Sequence, residues 1–178
     1  MVWNITRTCN LRCVHCYADS HAERYPGELS WEQCCAVIDD LADYKVNALL
    51  LSGGEPLLQK DAFDFLAEVR EMGFAVKLDT NGCYPQVLSR ILEQKLVDYV
   101  AMDIKNCKEK YGLTAGIPNF DITPVEESVQ LLMAGSVDYE FRTTVVKEFH
   151  TVDDIRAIGG FSIFAEVFRT SKAVPCWH

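Results

Sequence analysis

Residues 6–17 read TRTCNLRCVHCY, which spaces Cys9, Cys13 and Cys16 as CxxxCxxC. Three thiolates on one short loop are too few to close a four-ligand site. A 4Fe–4S cluster ordinarily takes four cysteine thiolates, so this loop leaves one iron open to a ligand that is not a protein side chain. Structural zinc is the competing reading, but such sites want four ligands, commonly in paired CxxC knuckles, and no second knuckle stands near the first. His15 is a fourth ligand only on paper. A lone histidine is seldom a ligand, and His15 reads as a solvent-side loop residue.

Outward from the loop, the chain alternates β-rich runs with amphipathic segments, the pattern of a parallel sheet wrapped by helices. Six strands are expected: VWNIT from Val2, ALLLS from Ala48, AVKLD from Ala75, YVAMDIK from Tyr99, DYEFRTTVV from Asp138, and SIFAEVF near the end. Ala48–Ser52 is almost unbroken in its apolar character, which suits a strand covered on both faces. The helix SWEQCCAVIDDLADY takes Ser30 as N-cap, with Gln33 in the capping-box position. Lys60 to Met72 places Phe63, Leu66, Ala67 and Val69 on one side and stops at Gly73. Further helices are read in PQVLSRILEQK from Pro85, in Thr123–Ala134, and in TVDDIRAI. Thr123 is taken as the N-cap of the second of these, with Pro124 at its first position and Gly135 as terminator.

Reactive groups of β/α barrels collect at the C-terminal ends of the strands, where the loops share one mouth. The polar clusters fall there. The cysteine loop follows the first strand, and Ser52-Gly53-Gly54-Glu55-Pro56 follows the second. Asp79-Thr80-Asn81-Gly82 ends the third, Asp103 and Lys105 end the fourth, and Arg142 lies in the fifth. Gly53 and Gly54 allow the backbone to approach a ligand closely, and Glu55 can accept a hydrogen bond from an ammonium. Asp79 and Asp103 end adjacent parallel strands, and two close carboxylates need a cation or a shared proton. The plainer reading has each aspartate capping a neighbouring helix.

The 178 residues, 49% hydrophobic, suit one domain with a sizeable core. A net charge of −9 with scattered basic residues argues against nucleic acid as a partner. No secretory leader and no apolar run of membrane-spanning length is seen, so the expected location is the cytoplasm. The eight cysteines then read as three cluster ligands plus free thiols at Cys34, Cys35, Cys83, Cys107 and Cys176.

TRTCNLRCVHCY resembles the signature loop of the radical SAM enzymes, and SGGEP resembles the segment that holds the amino group of S-adenosylmethionine (SAM). LDTNG at 78–82, VDYVAMDIK at 97–105 and DYEFRTTVV at 138–146 are similar to the glycyl-radical-enzyme activases, especially the anaerobic ribonucleoside-triphosphate reductase activating proteins. The resemblance spans roughly residues 5–155. It implies a single domain over residues 1–178, an α/β fold of the partial (β/α)6 parallel-barrel kind. Cys9, Cys13 and Cys16 would hold a 4Fe–4S cluster. SAM would be contacted by Gly53, Gly54, Glu55, Asp79, Asn81, Asp103, Lys105 and Arg142, with Lys105 at its carboxylate and Tyr17 stacked on its adenine. A monovalent cation would sit among Asp79, Thr80, Ala101 and Asp103, partly on backbone oxygens.

The implied reaction is reductive cleavage of SAM to a 5'-deoxyadenosyl radical that forms a glycyl radical in a partner, anaerobic ribonucleotide reductase. A flavodoxin or ferredoxin would supply the electron. Two departures stand out. Tyr17 follows Cys16 where that group usually has a histidine, and VWNITRTCNLRCVHCYADS looks more like radical SAM proteins that modify peptides or build cofactors. From Gly159 to His178 the resemblance stops, which leaves open a sixth strand, irregular packing or a truncated barrel. A non-catalytic iron–sulfur scaffold is the reading from outside enzymology.

Overall fold

Five of the β-rich runs pair side by side in the order in which they occur in the chain. The computed structural model describes residues 1–160. Its strands are β1 (Val2–Thr6), β2 (Ala48–Gly53), β3 (Ala75–Thr80), β4 (Tyr99–Asp103) and β5 (Asp138–Arg142), in one sheet of order β1-β2-β3-β4-β5. Every neighbouring pair is parallel. Sequential parallel strands joined through helices are the arrangement of a β/α barrel wall, and they bring all strand C-termini to one rim. The expected sixth strand, SIFAEVF, and Cys176 lie outside the described residues.

The helices are α1 (Trp31–Asp43), α2 (Ala62–Glu71), α3 (Pro85–Glu93), α4 (Tyr111–Ala115), α5 (Thr123–Ala134) and α6 (Val152–Gly160). Leu49 and Leu51 of β2, Val76 and Leu78 of β3, and Val100 and Met102 of β4 form the sheet's contribution to the core. Ile38, Leu66, Val69, Leu88, Ile91, Val129 and Leu132 pack on it from the helices. Full burial of an aliphatic side chain stabilises by roughly 1.5–3 kcal/mol, so this seam anchors the rim above it. Val100, Ala101 and Met102 are all buried, which marks β4 as the strand covered on both faces.

The local signals hold in part. Ser30 and Gln33 form the reciprocal capping box at the start of α1, and Gly73, at φ +86°, closes α2. α2 starts at Ala62 rather than Lys60, and its buried aromatic is Phe65. Phe63 lies under the Arg90 guanidinium, 4.5 Å from its ring centre. Thr123 is the first residue of α5 and not its cap; Ile122 holds the cap position, and the Asp121 carboxylate accepts the Thr123 N–H at 3.0 Å. The Asp121 side chain thus satisfies a first-turn N–H from one residue before the cap position. α4 is too short for its apolar spacing to be read from the chain.

Candidate functional site

The cysteine loop leaves β1 under tight control. One carboxylate oxygen of Glu28 accepts from Thr6 Oγ1 at 2.8 Å, from the Arg7 N–H at 2.8 Å and from Thr8 Oγ1 at 3.3 Å. Farther along, the Arg12 and Val14 N–H groups donate to the carbonyls of Ala115 and Thr114, and the Cys9 N–H donates to His21. The loop is therefore pinned to α4 on one side and to its own return on the other.

Gly53 and Gly54 bring the next segment against this loop. The Gly54 N–H donates to Thr6 O at 2.7 Å and the Glu55 N–H to Thr8 O at 2.9 Å. A Cβ on Gly53 would stand 2.2 Å from Thr6 O, and one on Gly54 2.2 Å from Thr8 O. The close approach that these glycines permit is thus to the backbone of β1 and the cysteine loop, where the sequence suggested a ligand. Gly53 also needs its freedom at φ +121°.

Glu55 is fully buried. Its carboxylate accepts the Leu57 N–H at 3.1 Å, Thr80 Oγ1 at 2.8 Å and the Asn81 N–H at 2.6 Å. Burial pushes its pKa up to about 7 although these donors pull the other way. Through these bonds Glu55 ties the Gly-Gly turn to the end of β3. Thr80 spends its hydroxyl on the same carboxylate. Asn81 donates its side-chain N–H to Asn10 Oδ1 at 2.9 Å and Cys9 Sγ at 3.7 Å.

Cys9, Cys13 and Cys16 are free thiols, the first buried and the others half-buried. Cys9 Sγ also accepts the Leu11 N–H and Cys16 Sγ the Ser20 N–H, each at 3.4 Å. Burial pushes the Cys9 thiol up to about 11 and raises Cys13, against which the Lys105 ammonium works. Buried sulfurs supplied with N–H donors suit thiolates whose charge is balanced by bound iron. Among the described residues no three His, Cys, Asp or Glu side chains gather to hold a single metal ion. Cysteine sulfurs are the donors that a 4Fe–4S cluster takes, each on a different iron, so the donor set fits a cluster.

Beside the thiols lies a charge network at the ends of β3, β4 and β5. Arg142 Nε is 3.1 Å from Asp103 Oδ1 and its Nη1 3.3 Å from Asp79 Oδ2. Lys105 Nζ is 3.0 Å from Asp103 Oδ2, and Ser52 Oγ donates to Asp79 Oδ2 at 3.0 Å. Arg142 thus places a positive charge between the two aspartates. Burial of Lys105 favours its neutral form, but Asp103 and the Cys13 sulfur outweigh that and raise its pKa. Asp79 Oδ1 is buried with no hydrogen-bond partner among the described residues, an acceptor open to a ligand donor. Ala101 sits buried between Asp79 and Glu140 in register. Tyr17 is 79% exposed, its ring free at the edge of the loop.

His15 departs from its solvent-side reading: it is half-buried, its Nδ1 covered and without a partner among the described residues. Burial lowers its pKa, and Lys105 and His150 add to that. The sequence reading passed over His150, Asn10 and Glu28, and gave Ser52 no role. His150 Nδ1 accepts the Val146 N–H at 3.1 Å, which leaves Nε2 as donor to the Lys105 carbonyl at 2.9 Å. Ser52 heads the SGGEP string and so carried a local signal. His150 carried none, because its partner lies 45 residues away.

Three thiols on the loop after the first strand, at the mouth of a sequential parallel sheet with a half-buried ammonium beside them, define an iron–sulfur protein of the β/α-barrel class. The model of the Radical SAM superfamily matches residues 3–156, and the chain belongs to that superfamily. The family works with a 4Fe–4S cluster and SAM. A candidate glycyl-radical enzyme activating enzyme of Methanocaldococcus jannaschii is 32% identical over 154 residues, 84% of this chain and 63% of that protein. Fe-coproporphyrin III synthase of Methanosarcina barkeri is 39% identical over 110 residues, 61% of this chain and 28% of that protein. The chain thus spans less than two thirds of the length of either relative. The fold is similar to that of anSMEcpe with bound AdoMet, at a TM-score of 0.62 and 20% identity, over 79% of this chain and 42% of that one. Among the described residues no helix is long and apolar enough to cross a membrane.

Proposed function

We propose that this chain is the core of a radical SAM activase that forms the glycyl radical of an anaerobic ribonucleotide reductase, in the cytoplasm, with a flavodoxin or ferredoxin as electron donor. The observation that carries the radical SAM chemistry is the Lys105 ammonium, half-buried just past the end of β4, where both Asp103 and the Cys13 sulfur act on it. The activase role is supported by the relative in Methanocaldococcus jannaschii, which aligns with most of the chain.

With cluster and SAM bound, the chemistry supplied is reductive cleavage of a SAM carbon–sulfur bond followed by abstraction of a hydrogen atom from the substrate. The protein's part is to hold and to exclude. Cys9, Cys13 and Cys16 hold the cluster. Lys105 meets the SAM carboxylate and Asp79 Oδ1 accepts a SAM donor, while Tyr17 covers the adenine. Arg142 keeps the Asp79 and Asp103 charges from repelling that carboxylate. Gly53, Gly54 and Glu55 fix the turn that faces the methionine end. None of these groups acts as acid or base; they position.

The test is anaerobic reconstitution with iron and sulfide, reduction, addition of SAM and quantification of 5'-deoxyadenosine against Cys13→Ala. Cysteine-dependent product is expected, and a glycyl radical should then appear by electron paramagnetic resonance on a supplied anaerobic ribonucleotide reductase. A cluster that never cleaves SAM would make the chain a non-catalytic scaffold. Cofactor biosynthesis is the second reading, favoured by Tyr17 after Cys16 and by the 39% identity to Fe-coproporphyrin III synthase. Turnover of a tetrapyrrole without any glycyl radical would select it; modification of a supplied precursor peptide would select a peptide-modifying enzyme.

A further inference from the structure

The side-chain amide of Asn81 is engaged within the protein at both its oxygen and its nitrogen. The residue is 5% exposed, in the turn after β3. Its backbone N–H goes to Glu55 Oε2 at 2.6 Å, and its side-chain Oδ1 accepts the Cys83 N–H at 3.0 Å. An amide whose oxygen takes an N–H donor must present its NH2 group on the other side. That group meets Asn10 Oδ1 at 2.9 Å and Cys9 Sγ at 3.7 Å. The orientation of the amide is thus set by two contacts, from Cys83 and to Asn10, and the sulfur is the third.

We propose that Asn81 is a positioning residue for the cluster ligand Cys9, its side-chain N–H holding that sulfur in place and raising the reduction potential of the cluster. The inference rests on the radical SAM reading of the cysteine loop. A thiolate that accepts hydrogen bonds passes less negative charge to iron, so an added electron is better tolerated. Cys9 takes one such bond from Leu11 within its own loop and one from Asn81, 72 residues away. The second is the one a side-chain substitution can remove. It also joins the cluster ligand to Glu55, so the turn facing SAM and the sulfur of Cys9 are held by one buried chain of contacts: Glu55, Asn81, Cys9.

The experiment compares wild type with Asn81→Ala and Asn81→Asp in a redox titration followed by electron paramagnetic resonance, without SAM present. Asn81→Asp keeps shape and loses the donor; Asn81→Ala loses the donor without adding charge. Both variants should carry wild-type iron and show a midpoint displaced to lower potential, with SAM affinity changed less than about twofold. An unmoved midpoint in both variants overturns the proposal. So does a tenfold loss of SAM affinity with the midpoint unmoved, since Asn81 would then serve SAM. Alkylation of the apoprotein, read by mass spectrometry, decides the case of a variant that assembles no cluster. Cys9 labelling should rise several-fold relative to Cys13 and Cys16 in both variants, and equal rises at all three sites sink the idea. Wild-type protein that never takes up a cluster would fail the radical SAM reading alone, and the alkylation pattern would still report on Asn81 and Cys9.

Discussion

Arg142 on β5 reaches past β4 to Asp79 on β3, Nη1 to Oδ2 at 3.3 Å, and on the way sets its Nε 3.1 Å from Asp103. One planar guanidinium therefore bridges the ends of two strands, a task that suits its fork of donors better than a lysine's single point of charge. Arg142→Gln is expected to keep cluster content and to weaken SAM binding about tenfold, some 1.4 kcal/mol, because Asp79 then has no cation and Asp103 draws on Lys105 alone, the ammonium that the SAM carboxylate needs. Arg142→Lys should fall between the two. Equilibrium dialysis of SAM against reconstituted protein measures both, and an affinity untouched by Arg142→Gln would remove Arg142 from the site.

Gly54 tests the packing of the second strand's turn against the cysteine loop. In Gly54→Ala the new methyl group meets Thr8 O at 2.2 Å, a backbone atom that cannot swing aside. The turn or the loop must shift, and a destabilisation of about 3 kcal/mol is expected from overpacking. Thermal unfolding of the apoprotein should show it, along with iron content well below one cluster per chain.

Glu55 makes the apoprotein's stability depend on pH in an unusual sense for a carboxylate. Its folded pKa, about 7, is above the 4.5 of the free side chain. Between these values the folded chain binds more protons than the unfolded one, so stability is fully present below about pH 4.5 and is lost as pH rises through 7. The shift corresponds to roughly 3 kcal/mol. Unfolding free energies taken between pH 5 and pH 8 should fall in wild type and change much less in Glu55→Gln. Parallel curves for the two proteins would refute this assignment.

Lys105→Met keeps most of the side-chain volume and deletes the ammonium. Burial raises the Cys13 thiol and Lys105 opposes it, so its removal leaves burial less opposed. Alkylation of Cys13 at pH 8 should slow several-fold in the apoprotein. SAM affinity should fall at least tenfold, or about 1.4 kcal/mol, for want of the carboxylate's partner. Unchanged kinetics at Cys13 would show that the two groups do not sense one another.

The strands, the cysteine loop and the gathering of polar groups at one rim are legible in the chain because they depend on neighbours. The apolar run of ALLLS, the alternation within AVKLD, the box formed by Ser30 and Gln33, and the stop at Gly73 all act over a few residues. The three thiols are close in sequence, so their role is too. Partners of the candidate site residues are a different matter. Gly53 and Gly54 look like ligand-facing glycines until Thr6 and Thr8 are seen against them. Glu55 reads as an acceptor for an ammonium until Thr80 and Asn81 are seen donating to it. Asn81 meets Cys9, and His150 meets Lys105, across 72 and 45 residues. Such pairs leave no periodic trace, because the sheet, and no local preference of the backbone, sets which strand ends meet. By itself the sequence determined that a cluster-binding loop opens a parallel β/α fold. Only the tertiary structure decided which groups stay free for a ligand, since burial and hydrogen bonding from distant segments consume the rest.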